Sequence, residues 1–132
     1  MDRLRLSTFL LSVFLLISPL TANSQTNPVE NTTSGIGYED ISDAIQLASS
    51  GDVLTLSALT FTERLLIQKP LTIVGDAGGG TVIDVRGTSG WGVWLGSSGI
   101  TMENVTILSD ISHDGYGVHC DPGTTDLTLR NV

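Results

Sequence analysis

One apolar block and two hydrophobic periods divide this chain. Leu6 to Leu20 is dominated by Leu, Phe, Val and Ile, follows Arg3 and Arg5, and is broken by Pro19 just before a run of small residues. This is the three-part plan of a secretory signal peptide. Ala22 and Ser24 suit the third and first positions before a cut, so residues 1–24 are expected to be removed and the mature chain to begin at Gln25. The apolar run is about 15 residues, short of the roughly 18 to 20 that cross a bilayer, so no membrane span is expected after cleavage.

Residues 25–37 are Asn, Thr, Ser, Pro and Gly with little to bury, the composition of a flexible linker. Asn31, Thr32 and Thr33 form a sequon that would accept a glycan in a eukaryotic secretory pathway. A second sequon at Asn104 falls in a strand region, where a glycan would clash. Tyr38 to Ser49 carries the helix period: Ile41, Ala44, Ile45 and Ala48 share one face, Glu39, Asp40, Asp43 and Gln46 are polar, and Gly51 stops the element. From Asp52 the period changes. Short Val, Ile, Leu and Thr runs alternate with Gly, Asp, Ser and Asn turns: Val53–Leu56, Leu65–Gln68, Leu71–Val74, Thr81–Val85, Gly92–Leu95, Ile100–Leu108, Gly117–Cys120 and Leu127–Val132.

These runs repeat. Trp91, Gly92, Val93 and Leu95 align with Tyr116, Gly117, Val118 and Cys120; after a two-residue insertion, Ile100, Thr101, Met102, Asn104 and Val105 align with Leu127, Thr128, Leu129, Asn131 and Val132. Leu71, Thr72 and Ile73 form an earlier, weaker copy of Ile100, Thr101 and Met102, so the spacing is 25 to 29 residues. Hairpin folds have no reason to repeat at this interval. A parallel β-helix does, because each coil stacks its strands on the equivalent strands of the coil below. The expected fold is therefore all-β: a right-handed parallel β-helix of about three to four coils, with the amphipathic segment at Tyr38–Ser49 as an N-terminal cap over the first open edge.

The order of amphipathic helix, Gly51-Asp52-Val53, Phe61-Thr62-Glu63, Lys69-Pro70-Leu71-Thr72-Ile73-Val74-Gly75 and Thr81-Val82-Ile83-Asp84 resembles the N-terminal region of exported right-handed β-helix proteins with a pectin-lyase-like fold. The resemblance covers residues 38–132. It implies the architecture and no single activity, for that group holds polysaccharide lyases, hydrolases, methylesterases and epimerases beside adhesins and periplasmic accessory proteins. No catalytic motif is matched. Asp121-Pro122 is similar to the start of an Asp-Pro-His element of alginate epimerases, but Gly123 stands where the histidine would be.

Composition narrows the chemistry. With 14 acidic and 6 basic residues, a net charge of −8 and a pI near 4.3, the chain has the wrong sign for binding nucleic acid. Removal of residues 1–24 takes it to about −9. One cysteine excludes a disulfide framework. Strand parity puts Val93, Leu95, Val118 and Cys120 on the core face, with Cys120 as a small buried hydrophobe, and puts Trp94 and His119 on the opposite face. Trp94 and His119 are the candidate substrate-binding residues, since an indole can lie flat on a sugar ring; cover by a loop or partner is the other reading.

Asp110, Asp114, Asp121 and Asp126, with His113 nearby, are hard ligands that could bind calcium, although their spacing matches no calcium loop and Asp is an ordinary turn residue. Ser112, His113 and Asp114 are consecutive and cannot point at one another as a triad must. The four glycines within Gly75–Gly80 read as a turn, and Asn104 with Asn131 as a stacked amide pair.

Val132 falls inside an expected strand, so 38–132 is expected to be the cap and first coils of a longer domain. The function expected from these readings is an exported, secreted, periplasmic or surface segment that binds carbohydrate without catalysis. The alternative is the N-terminal part of a lyase, hydrolase or epimerase acting on acidic polysaccharide. The mature chain holds only Arg64, Lys69, Arg86 and Arg130 as cations to grip such a polymer, which favours the first.

Overall fold

A computed structural model describes residues 26–110 and 116–132. The leader at 1–24 and the group Ser112, His113 and Asp114 lie outside the described residues. After a hairpin of β1 (Val29–Asn31) and β2 (Ile36–Tyr38) comes the helix α1 (Ile41–Leu47). The remaining strands are β3 (Val53–Leu56), β4 (Thr60–Phe61), β5 (Leu65–Ile67), β6 (Thr72–Val74), β7 (Val82–Asp84), β8 (Trp91–Leu95), β9 (Thr101–Glu103), β10 (Thr106–Leu108), β11 (Tyr116–Cys120) and β12 (Thr128–Arg130).

From β3 onward each strand pairs in parallel with the strand three places later in the chain, giving three sheets. One runs β12-β9-β6-β3-β1-β2, the second β10-β7-β4 and the third β11-β8-β5. The pairing register is the sequence repeat itself. Thr72 and Ile73 pair with Thr101 and Met102, which pair in turn with Thr128 and Leu129. Trp91, Val93 and Leu95 pair with Tyr116, Val118 and Cys120. The chain is thus strand-rich with parallel sheets, an order compatible with a β-helix-like fold.

One face of each sheet looks inward because the aliphatic residues alternate. Leu54, Ile73 and Met102 stack on one side, Phe61 and Ile83 on the second, and Leu65, Ile67, Val93 and Leu95 on the third, all buried. Between strands, Leu71, Val85, Ile100 and Val105 fill the corners. Among the described residues three non-glycine positions take the left-handed backbone conformation: Asn104, Asp126 and Asn131. Asn and Asp tolerate it better than other side chains. Asn104 and Asn131 sit one above the other, and the Asn131 amide donates to Asn104 Oδ1 at 3.0 Å.

The structure corrects three expectations. Residues 26–37 are no linker: Val29 and Asn31 are buried, and β1 pairs antiparallel with both β2 and β3. What composition missed is a distant partner. Asn31 donates to Asp52 Oδ2 at 2.7 Å and accepts from the backbone N–H groups of Thr33 and Ser34. The Asn31 sequon is therefore committed to the fold, since its amide nitrogen is buried and bonded.

The helix is also shorter than Tyr38–Ser49. Tyr38 belongs to β2, and Ala48 already has an extended backbone as the C-cap. Asp40 at the N-cap makes no side-chain cap bond. Glu63 supplies it instead, accepting from the backbone N–H groups of Ile41 and Ser42, both at 2.8 Å. At the other end Lys69 Nζ donates to the carbonyls of Gln46 and Ala48. A carboxylate at the helix start and an ammonium at its end both complement the helix dipole. Together α1 and the hairpin cover the β3–β5 end of the core, with Ile41, Ala44, Ile45 and Ala48 packed inward.

The third correction concerns Cys120. It pairs with buried Leu95, as the repeat requires, yet it is exposed because β11 is the outermost strand of its sheet.

Candidate functional site

The solvent face of the β5-β8-β11 sheet carries the expected pair and, beside it, Trp91, which the alternation hid. Leu66, Trp94 and His119 are aligned across β5, β8 and β11 by the strand register. The Trp94 and His119 rings meet edge to face, 5.6 Å between centroids. Trp91 joins them: its ring stacks on His119 at 4.5 Å and 23°, and meets Trp94 edge-on at 4.4 Å. Strict parity would send Trp91 inward with Val93. It comes outward because Gly92 and Val93 both face the core, as the burial of both residues along β8 records. Only glycine fits there, since a Cβ on residue 92 would run into Val85 Cγ2.

Asp121 fixes the cluster. Its Oδ1 accepts the Trp94 indole N–H at 2.7 Å and lies 3.5 Å from His119 Nε2, which makes an ion pair whenever the imidazole is protonated. Its Oδ2 lies 3.3 Å from where a Cβ on Gly96 would stand, and Gln68 Cγ lies 3.6 Å from the same point on the other side. A side chain at residue 96 would press on the Asp121 carboxylate, so glycine there keeps Asp121 in place against Trp94. Arg64 closes the opposite side, donating from Nε to the Trp91 carbonyl at 2.7 Å. An open groove of about 310 Å³ lies along Arg64, Leu66, Trp91 and Trp94. Such an arrangement offers indole rings and an aliphatic side chain with a guanidinium beside them, the mixture that holds an amphipathic ring.

Of the carboxylates considered for calcium, Asp114 lies outside the described residues and the other three are engaged separately. Asp110 accepts from the Gly87 N–H, Asp121 from Trp94, and Asp126 lies on the turn before β12. Among the described residues no group of three His, Cys, Asp or Glu side chains could hold a metal ion. Elsewhere, the Arg86 guanidinium and backbone N–H bonded to Asp84 hold its carboxyl down to about 2. That pair lies in a different sheet from the aromatic cluster.

No helix among the described residues is long and apolar enough to cross a membrane. No protein-family model, curated protein or solved structure matches this chain.

Proposed function

We propose that the three sheets are the faces of a right-handed parallel β-helix, exported through the 1–24 leader, and that the β5-β8-β11 face binds carbohydrate without catalysis. One observation carries the reading: Trp94, held by Asp121, lines an open groove with Trp91, Leu66 and Arg64, so a sugar ring can stack on the indole while its hydroxyls meet the Arg64 guanidinium. The Trp91–His119 stack packs edge-on against this platform. Aromatic residues suit the task because a pyranose has an apolar face and a polar rim.

The test is a glycan array followed by calorimetry with the best binder. Trp94→Ala is expected to weaken binding about tenfold, in line with the loss of one aromatic stacking contact. Retention of full affinity by Trp94→Ala, or the absence of any glycan bound by the intact chain, overturns the reading.

A further inference from the structure

The groove beside the tryptophans does not end at them. Arg64 and Leu66 also form the wall of a second open groove of about 470 Å³, which continues to Ser42 and Gln46 on α1 and to Gln68 and Lys69 after β5. Arg64, Leu66 and Gln68 alternate outward along the same strand and are exposed, while Leu65 and Ile67 are buried. The floor is apolar, from Ile45 and Leu66, and the rim is polar. Two features mark this rim as open to a ligand. Among the described residues Lys69 and Arg64 bond only carbonyl oxygens, and no described carboxylate stands within ion-pair distance of either. The amide heads of Gln46 and Gln68 make no hydrogen bond among the described residues, although both border the groove.

We infer that this second groove is a further saccharide subsite, so that the ligand is an extended oligosaccharide running from the Trp94 platform over Leu66 to the Gln46 and Gln68 amides beside α1. The inference rests on the carbohydrate-binding reading. It adds that ligand length matters, and it assigns the length dependence to residues remote from the tryptophans. Each amide can donate and accept, which matches the vicinal hydroxyls of a second or third sugar unit. Leu66 supplies the apolar contact between the two positions. Its volume falls within the range of small-molecule sites, about 300–1,000 Å³.

The test titrates gluco-, xylo- and manno-oligosaccharide ladders, from monosaccharide to pentasaccharide, into the full chain by calorimetry. The same titrations are run with Gln46→Ala/Gln68→Ala, two exposed positions whose replacement is expected to leave the folded circular dichroism spectrum unchanged. The intact protein is expected to gain about tenfold in affinity between the shortest and the longer members of one ladder, and the double variant to lose that gain while binding the shortest member as before. A ladder that binds with no length dependence, or a double variant that keeps it, overturns the second subsite and leaves the Trp94 platform standing. If no member of any ladder binds, the platform fails and the subsite falls with it.

Discussion

At the scale of single residues, the Asn31–Asp52 pair joins the hairpin to the first strand of the parallel sheets. Asn31 gives Asp52 a hydrogen bond and receives two from the turn that follows it, and the Ser49 N–H donates to the same carboxylate at 2.9 Å. Asn31→Ala removes all three Asn31 bonds at a buried position and is expected to cost about 1–3 kcal/mol, read as a lower urea midpoint. The pH dependence has a definite sign. The Asn31 amide first, and the Ser49 N–H second, hold the Asp52 carboxyl below its usual value near 3.8. A depressed carboxyl stabilises the fold fully above its unfolded value and loses that contribution as pH falls through the folded one. Asp84 behaves in the same way between 3.8 and about 2. Urea midpoints are therefore expected to drop below pH 3.8 in the wild type, with a shallower drop in Asn31→Ala.

At the scale of elements, α1 shows what the sequence could and could not say. Its existence and its inward face were legible, because Ile41, Ala44, Ile45 and Ala48 fall on one side of a 3.6-residue period and all four are buried. Its ends were not, because the groups that cap it come from either side of β5, more than 20 residues away in sequence. Glu63→Ala is expected to destabilise the protein by about 0.5–2 kcal/mol, the usual worth of an N-cap, with thermal unfolding as the measurement and Glu63→Gln recovering part of the loss. The same limit applied elsewhere. The stacking register was legible in the Trp91 to Tyr116 and Thr101 to Thr128 alignments, which the strand pairs reproduce. The Trp91 side of the candidate site was hidden, since alternation assigns one residue per face and Gly92 breaks that rule by turning inward beside Val93. The glycine was the available signal, and its meaning depended on Val85 standing opposite.

At the scale of the whole molecule, the two ends of the stack differ. The β3–β5 end is closed by α1 and the hairpin, while β10, β11 and β12 are the outermost strands of their sheets and expose Tyr116, Cys120, Leu129 and Val132. Such strands present unpaired backbone groups beside apolar side chains, a template for pairing with another chain. A chain of residues 25–132 alone is expected to self-associate with rising concentration, and Leu129→Lys to move the midpoint of that association upward about tenfold in sedimentation measurements. The outward turn of Trp91 has an optical consequence as well. Both tryptophans of the chain lie in one cluster against His119, so intrinsic fluorescence sees a single patch of the β5-β8-β11 face, while far-ultraviolet dichroism sees every strand. Unfolding curves followed by the two signals will coincide if that face melts with the stack, and any gap between them measures how much earlier it opens.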